Sequence, residues 1–574
     1  MTRSAGRRDP PPRIPRFRVV LHAFAGLAAC GSVADLGAQA VATSEPVVAE
    51  TIRHITDTAH HPYLKWPDFP HYRDEMEGLY GPRAYRPLWF NGERPTRRFR
   101  TLVDQLLVAE ARGLNPTNYD AAVLDSLWRE HEGGGRFTPD EIGLIDASAT
   151  IAILRHISDL HVGRVNPRNI SIGLDIESKK YDLVAVVGAA IEGDRIAQTI
   201  AEAEPDIPSY HALKEALAHY HRLAAMPPVG AISADMVSPG DAFADLHKVA
   251  ELLIRFGDLE TVDAPPAGAT RYDGAVPGAV ARYQYRHGLS TDSIIGPGTL
   301  EELNTPMMDR VHQIEWALER YRWLPSLADA GPFIAVNIPA FRLWAFDRLA
   351  AEEDAAVEMR VIVGKAINTQ TPVFIEDLRY LVFAPYWNVP YNIAVTELLP
   401  AARGDPDYMI RNRYELVPEF DWGATVYPST EENLAKVGSG ALKIRQQPGP
   451  SNSLGLVKFI FPNAMGIYLH STPARQLFAR ARRDFSHGCI RVEHAVTLAD
   501  WVLKNQGDWT EQSIEAAMNA GRPSRESLQR PLPVIIFYTT ALVERDGTVL
   551  FWDDIYGHDE ILENALAQGY PYPP

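Results

Sequence analysis

The sequence predicts a multidomain α+β protein, with helices in the N-terminal part and a mostly-β C-terminal part. The chain has 574 residues, which is more than one hydrophobic core usually organises, so several domains are expected. Hydrophobic residues make up 46% and charged residues 22%, the composition of a globular protein. The apolar period changes from about 3.6 to about 2 after Leu324-Pro325, which indicates a passage from helices to strands.

Charge and cysteine content exclude several classes of protein. The formal net charge is -17, from 56 basic and 73 acidic residues, so the chain lacks the basic surface that nucleic-acid binding needs. Two cysteines cannot form a disulfide framework. No apolar stretch reaches the roughly 18 to 20 residues of a membrane-spanning helix.

Residues 1–40 are predicted to be a signal peptide. A basic leader, an apolar run from Val19 to Ala29 and the small residues of Ala38-Gln39-Ala40 follow in that order, which is typical of exported proteins. Cleavage after Ala40 is favoured. Lipidation of Cys30, whose preceding residues resemble a lipobox, and a disordered basic tail remain alternatives, so membrane anchoring by the signal or a lipid stays open. Export predicts a periplasmic or cell-envelope location and leaves Cys489 as the one free thiol.

Residues 41–228 are predicted to be a helical scaffold domain without chemistry of its own. Helical periodicity is found in three segments, which are 99–107, 139–160 and 210–223. Residues 41–95 show little periodicity, and their histidines (His54, His60, His61 and His71) are predicted to be surface or loop residues without a metal site.

A small three-helix module is predicted over residues 229–306, after a boundary rich in Pro, Gly and Ser. Its order of helix, Gln284, Gly288-Leu289, Asp292 and Thr299 resembles the peptidoglycan-binding domain of cell-wall enzymes. A helical spacer with a glycine-rich turn is the alternative. Residues 307–330 are predicted to be a linker helix.

Residues 331–508 are predicted to be a mostly-β catalytic domain, completed by a C-terminal extension over 509–574. Val357 to Val363 alternate apolar and polar residues as a strand does. Further strand-like runs are Phe333–Ile338, Tyr380–Pro385, Val457–Phe461 and Val534–Tyr538. The polar and aromatic stretch 396–443 is long for a loop, so we predict an inserted flap beside the site.

Cys489 has neighbours that suit a nucleophile. A thiol near its ordinary pKa is only a few per cent ionised at neutral pH, so it needs a base. Two histidines are candidates: His487, two residues before the cysteine, and His470, at the end of an apolar, strand-like stretch. The backbone N–H groups of Gly488 and Cys489 are candidate oxyanion donors. A buried structural cysteine and a zinc site are the alternatives, and no fourth zinc ligand is evident.

His470, fifteen intervening residues and then Ser486-His487-Gly488-Cys489 resemble the signature of YkuD-type L,D-transpeptidases. The resemblance implies a β-sandwich-like sheet, with Cys489 as nucleophile, His470 as acid/base, and His487, Gly488 and Ser486 as supporting groups. The carbonyl of Ser471 is expected to select the tautomer of His470. Many members have Asn two places after the cysteine, where this chain has Arg491. The large YcbB-like branch accepts Arg there, and Arg491 either binds a substrate carboxylate or braces the loop.

Two further segments resemble that branch, around Trp387-Asn388 and around Arg445-Gln446. The order of parts also matches: signal, helical scaffold, peptidoglycan-binding module and catalytic domain with a flap. Six residues are expected at the substrate, namely Arg491, Trp387, Asn388, Tyr468, Arg445 and Gln446. A core position for Trp387 and a purely loop-shaping role for Arg445 and Gln446 remain open.

The resemblance implies a cysteine acyltransferase of peptidoglycan biosynthesis, acting in cell-wall biogenesis and cell shape. Cys489 would form a thioester with a tetrapeptide donor stem, release D-Ala, and pass the acyl group to an amine as a 3→3 cross-link. Its partners would be peptidoglycan stem peptides and glycan, with no metal or cofactor, and carbapenems are expected to acylate Cys489. An L,D-carboxypeptidase or endopeptidase that uses water, and a non-catalytic cell-wall-binding scaffold, are the alternatives.

Overall fold

A computed structural model describes residues 36–174, 179, 182–327, 331–349, 355–367 and 369–569. The predicted signal peptide up to residue 35, including Cys30, lies outside the described residues. Among these residues, the chain divides into two compact units. The first contains residues 36–161, 182–204 and 569, and the second contains 162–174, 179 and 205–568.

Helices occupy most of the chain up to Arg322 and recur in short segments after it. In chain order they are α1 Leu36–Thr58, α2 Arg73–Tyr80, α3 Arg97–Leu107, α4 Ala121–Glu132, α5 Pro139–Val162, α6 Leu183–Glu192, α7 Ile196–Glu202, α8 Pro208–Ala224, α9 Leu246–Phe256, α10 Val276–Arg286, α11 Pro297–Leu303, α12 Met307–Arg322, α13 Tyr391–Ile393, α14 Leu399–Gly404, α15 Tyr408–Arg411, α16 Glu431–Gly438, α17 Ala495–Leu503, α18 Glu511–Met518 and α19 His558–Ala567.

Strands are concentrated after residue 331, apart from one short hairpin. They are β1 Phe90–Asn91, β2 Arg94–Pro95, β3 Phe333–Asn337, β4 Arg342–Phe346, β5 Val357–Gly364, β6 Phe374–Phe383, β7 Trp387–Asn388, β8 Tyr414–Val417, β9 Lys443–Gln446, β10 Val457–Ile460, β11 Leu469–His470, β12 Asp484–Ser486, β13 Ile490–Val492, β14 Ser524–Phe537, β15 Ala541–Val543 and β16 Val549–Phe551. The predicted fold class, helical first and mostly-β later, is therefore confirmed.

The helices of the first unit enclose their own apolar core. Their buried side chains recur at helical spacing, as Phe99, Leu102, Val103 and Leu106 do in α3. The prediction of little periodicity over residues 41–95 is wrong, because α1 and α2 lie there. In α1 the buried apolar positions Val48, Ile52 and Ile55 are spaced by four and three residues, and buried Ala59 follows directly after the helix. Intervening Pro and His residues hide this pattern from a sequence scan.

His61 also differs from its predicted surface position. Its side chain is fully buried, and its Nε2 lies 3.0 Å from both the Leu144 carbonyl oxygen and Ser148 Oγ. Burial lowers the pKa of His61 to about 4. It is a hydrogen-bonded core histidine, a role that composition alone cannot distinguish from a loop position.

Three helices, α9 to α11, surround a separate apolar cluster within residues 229–306. Gln284 is buried, and its Nε2 donates to Asp292 Oδ1, the Ile294 carbonyl and Thr299 Oγ1 at 2.9 to 3.1 Å. The motif residues thus hold the turn between α10 and α11 closed. Peptidoglycan binding by this module stays a prediction.

The catalytic region is built on a nine-stranded sheet in the order β12-β5-β13-β11-β10-β6-β14-β3-β4. An additional pairing between β4 and β5 closes the sheet. The eight strands from β5 to β4 in this order form the closed sheet, and β12 pairs with β5 outside it. The predicted sandwich-like sheet is therefore a closed one, which leaves few unpaired edges. Apolar side chains from β3, β5, β6, β10 and β14 fill its interior.

The predicted flap is an ordered small subdomain and not a loop. Helices α13 to α16 and the sheet β7-β9-β8 form it, around an apolar cluster that includes Leu398, Met409, Leu434 and Ile444. We call residues 387–446 the flap. Among the described residues, no helix is long and apolar enough to cross a membrane.

Candidate active site

The thiol of Cys489 lies at the start of β13, beside β11. The two strands are parallel, with Leu469 opposite Ile490 and His470 opposite Arg491, and the Ile490 N–H donates to the Tyr468 carbonyl at 3.1 Å. Alternate residues of a strand share a face. Tyr468, His470, Cys489 and Arg491 therefore project from one face of two strands that lie about 4.8 Å apart.

His470 is buried, and its orientation is held by its own backbone neighbour. Its Nδ1 lies 2.6 Å from the Ser471 carbonyl oxygen. Because a carbonyl only accepts, Nδ1 carries the proton and Nε2 is left as the acceptor. Burial, followed by the positive charge of Arg491, lowers the pKa of His470 to about 3. At neutral pH the ring is an uncharged base.

Cys489 is half-buried and is a protonated thiol in this state. Its Sγ donates to the Gly466 carbonyl at 3.7 Å, and burial raises the pKa of the Cys489 thiol. Hydrogen bonds from Tyr468 and the charges of Lys458 and Arg491 act in the opposite direction. Within the described residues no hydrogen bond joins Sγ to the His470 ring.

The loop before Cys489 has a conformation that requires glycine. Gly488 has φ +110, and a Cβ there would lie 3.2 Å from Ile467 Cδ1. Its N–H donates to Ser486 Oγ at 3.1 Å. The Gly488 N–H is thus engaged inside the loop. Oxyanion donation by the N–H groups of Gly488 and Cys489 stays a prediction.

Residues outside the predicted set hold this loop from behind. Thr371 Oγ1 donates to the Gly488 carbonyl at 2.7 Å and accepts from the Gly364 N–H at 2.9 Å. The Tyr556 hydroxyl donates to the Gly364 carbonyl at 2.6 Å and accepts from the Thr371 N–H at 3.2 Å. Neither residue stands near a motif, so the sequence offers no signal for this support.

His487 contacts the flap. Its Nε2 lies 2.9 Å from Glu397 Oε1, with 35% and 51% of the two side chains exposed. This contact joins the loop before Cys489 to the flap, and the supporting role expected for His487 at the site stays a prediction. Glu397 lies in the π-helical turn Ala394–Leu398 and was not predicted.

The polar groups of Arg445 and Gln446 are used within the flap. Arg445 Nε donates to Glu415 Oε2 at 2.7 Å, its guanidinium lies over the Tyr386 ring, and 3% of the residue is exposed. Gln446 Nε2 donates to the carbonyls of Asn412 and Ser451. These contacts favour the loop-shaping alternative over substrate binding.

The strand opposite Arg445 and Gln446 carries the two other expected residues of this region. Asn388 pairs with Arg445 and Trp387 with Gln446. Trp387 is half-buried with its ring 6.2 Å from that of Tyr414, whereas Asn388 is exposed. Trp387 thus belongs partly to the flap core, and Asn388 remains accessible to a ligand.

Ser471 has a structural position next to the base. Its Oγ accepts from the Leu456 N–H at 2.6 Å, and Gly455 leaves room for it, since a Cβ at Gly455 would lie 2.1 Å from that Oγ. On the other side of His470, Lys458 of β10 pairs with it across the sheet. Lys458 was missed, although it is the charged residue in the otherwise apolar run Val457–Phe461.

No group of three or more His, Cys, Asp or Glu side chains among the described residues is arranged to hold a metal ion. The predicted site residues that the fold does bring together are Cys489, His470, Tyr468 and Arg491 on one face, with Ser486 and Gly488 in the adjoining loop. This arrangement presents a thiol, an uncharged imidazole and a backbone donor, which are the groups that covalent acyl transfer requires.

Comparison with known proteins agrees with this chemistry. Residues 331–536 match the family described as "L,D-transpeptidase catalytic domain", and residues 74–217 match the family described as "Scaffold domain". A protein of Haemophilus influenzae that bears the name "Putative L,D-transpeptidase" is 34% identical over 247 residues, which are 43% of this chain and 48% of the relative. The chain therefore spans about half the length of the curated relative it matches.

Proposed function

We propose that this chain, which carries an L,D-transpeptidase catalytic domain over residues 331–536 and a scaffold domain over 74–217, forms 3→3 cross-links in peptidoglycan. The donor is a tetrapeptide stem, and the intermediate is a thioester on Cys489. The observation that carries the proposal is the parallel pairing of β11 with β13, which brings His470 and Cys489 to one face.

The proposed acylation begins with transfer of the Sγ proton to His470 Nε2. The thiolate attacks the carbonyl carbon of the third stem residue, and the oxyanion accepts from the Cys489 N–H. The C–N bond to D-Ala then breaks, and the leaving amine takes the proton from the imidazolium. General acid–base catalysis of this kind contributes roughly 10²- to 10⁴-fold to the rate.

The second half-reaction uses the same groups in reverse. An acceptor amine loses a proton to His470 and attacks the thioester carbonyl, the C–S bond breaks, and the sulfur regains a proton. The flap supports this step, since the contact between Glu397 and His487 keeps the flap next to the nucleophile loop. We infer that the flap limits access of water to the thioester.

Intact-mass analysis of the full chain with a disaccharide-tetrapeptide tests the proposal. We expect an adduct equal to the donor minus D-Ala, mapped to Cys489, and dimers once an acceptor stem is present. Cys489→Ala should abolish both. Trimmed tripeptides without dimers would support the hydrolytic alternative. The absence of any adduct, together with an unchanged cellular phenotype of Cys489→Ala, would support the non-catalytic alternative.

We also propose that residues 229–306 bind peptidoglycan and that the protein acts in the cell envelope. The support is the resemblance of the α10–α11 turn, which is held by Gln284. Pull-down by purified sacculi tests this role: the full chain should cosediment, and Gln284→Ala, which opens the turn, should weaken cosedimentation. Equal cosedimentation of both would contradict it.

A further inference from the structure

Two basic side chains flank the catalytic base on the active face of the sheet. Lys458 of β10 lies directly opposite His470, and Arg491 of β13 lies opposite His470 on its other side. Paired residues of neighbouring strands share a face, so Lys458, His470 and Arg491 form a row across three strands. Neighbouring strands are about 4.8 Å apart, which places both cations close to the ring.

Both cations also act on the nucleophile. The charges of Lys458 and Arg491 each favour the thiolate of Cys489, against the larger effect of burial, which raises the pKa of the thiol. The Lys458 ammonium lies 5.7 Å from the centroid of the Tyr468 ring, and Tyr468 precedes Leu469 at the level of Cys489. The two cations and the sulfur thus lie on one face of the sheet.

Neither cation has an anionic protein partner within the described residues, although the Lys458 ammonium lies over the Tyr468 ring. Among the described residues, the side chains of Lys458 and Arg491 make no ion pair and no hydrogen bond, and Arg491 Nε is buried without an acceptor. Burial lowers the pKa of both groups. Holding two partly buried cations together without an anion is unfavourable, so their arrangement suits an anion that arrives with the ligand.

We propose that Lys458 and Arg491 together bind the α-carboxylate of the residue that leaves the donor stem. This inference rests on the proposed function and names the group that the site recognises. A carboxylate one residue beyond the scissile bond would be placed next to Cys489, and a stem with one residue more would put that carboxylate out of position. The pair therefore selects tetrapeptide over pentapeptide donors.

Binding of the carboxylate also has a consequence for the base. Arg491 and Lys458 are two of the causes that keep His470 uncharged. A bound carboxylate compensates their charge and so favours the protonated ring. The same two charges favour the Cys489 thiolate, so the carboxylate raises the proton affinity of both groups.

Two alkylating reagents of nearly equal size test the cationic pair without any peptidoglycan. Iodoacetate carries a carboxylate and iodoacetamide does not, and each forms an Sγ–C bond to Cys489 with loss of iodide. In the full chain, with the modified site mapped by peptide mass, we expect Lys458→Met to lower the iodoacetate-to-iodoacetamide rate ratio about three- to tenfold. Lys458→Arg should keep the ratio.

The matched control is Lys248→Met, which removes the same charge from α9, where Lys248 pairs with Asp245 at 2.9 Å. It should leave the rate ratio unchanged. A Lys458→Met protein that retains its thermal transition is folded, which excludes unfolding as the cause. Loss of the Lys458 charge also disfavours the Cys489 thiolate, but this slows both reagents alike and cancels in the rate ratio. An unchanged ratio in that folded variant would overturn the proposal.

The donor arm uses a disaccharide-tetrapeptide, its C-terminal amide and the corresponding pentapeptide. In the wild type we expect the amide and the pentapeptide to acylate Cys489 at least about tenfold more slowly than the acid, and in Lys458→Met we expect this preference to disappear. If amidation of the carboxylate of the diamino acid, rather than of the leaving residue, slows the acylation of Cys489, the proposal that the pair binds the carboxylate of the leaving residue is wrong. If no stem acylates Cys489 while iodoacetate selectivity persists, the proposed function fails and the anion site stands.

Discussion

The flap and the active face of the sheet both contain buried or partly buried cationic side chains. They differ in whether those side chains have an anionic partner within the protein. In the flap, Arg445 meets Glu415 at 2.7 Å and a carbonyl oxygen of Asp421. On the active face, Lys458 and Arg491 have no anionic partner among the described residues. The Arg445 cation stabilises the flap through its ion pair within the protein. The Lys458 and Arg491 cations, in our proposal, pair with a carboxylate of the ligand.

The largest effect is expected where the flap pair is broken. Glu415→Gln leaves Arg445 buried without a counter-charge, and removing one partner of a buried pair costs about 3 to 5 kcal/mol. Hydrogen exchange of β8 and β9 measures the free energy of opening of the flap. Glu431→Gln is the control in the same subdomain, since its pair with Arg403 is exposed and worth about 1 kcal/mol or less. If Glu415→Gln and Glu431→Gln lowered the free energy of opening of the flap equally, the buried pair would be no more important for stability than the exposed one.

A smaller effect is expected from the pH dependence of stability. The pKa of His470 is lowered from its ordinary value of 6.5 to about 3, so between these values the unfolded chain binds a proton that the folded protein does not. Stability therefore falls as the pH falls from about 6.5 towards 3. Between pH 7 and pH 5, His470→Asn should lose about 2 kcal/mol less free energy of unfolding than the wild type.

Urea unfolding of the wild type and of His470→Asn at the two pH values provides this measurement. Other buried histidines, such as His61, titrate equally in both proteins and cancel in the difference. An identical pH dependence of the two proteins would mean that His470 is not held uncharged by its surroundings.

A still smaller change in stability, of opposite sign, is expected at Lys458. Because Lys458 has no anionic partner to lose among the described residues, Lys458→Met should leave the free energy of unfolding unchanged or raise it by about 1 kcal/mol or less. The acylation rate with a tetrapeptide should nevertheless fall. A clear loss of stability, measured by urea unfolding, would show that Lys458 has an architectural role like that of Arg445.

The smallest effect is expected at the contact between flap and nucleophile loop. His487 and Glu397 are both substantially exposed, so Glu397→Gln should change the free energy of unfolding by less than about 0.5 kcal/mol. Hydrogen exchange within residues 394–398 should become faster, because the flap loses its contact with the loop. Exchange at the wild-type rate would mean that this contact does not hold the flap.

Local patterns predicted much of the fold. The apolar spacing identified α3, α5 and α8, and the alternation from Val357 matches β5. The flap was harder to predict, because its helices are short and its core is assembled from scattered residues such as Leu398 and Ile444. The closed sheet was also missed, since the pairing of β4 with β5 follows from sheet curvature rather than from residue type.

The candidate site was predicted only where its residues stand in one motif. Cys489 and His470 were found because their spacing is distinctive, while Lys458, Thr371, Tyr556 and Glu397 are isolated in the sequence. Each of these four reaches the site through a strand pairing or a long-range hydrogen bond. Such contacts join positions far apart in the chain, so the local spacing of apolar and polar residues does not predict them.

By itself, the sequence determined the types of element and the identity of the reactive groups, since periodicity and side-chain chemistry are local properties. Only the tertiary structure decided which charges are paired. Arg445 and Arg491 look alike in the sequence, but one is matched with Glu415 and the other faces the thiol. The reason is physical: the energy of a charge depends on its burial and on the groups around it, and folding sets both.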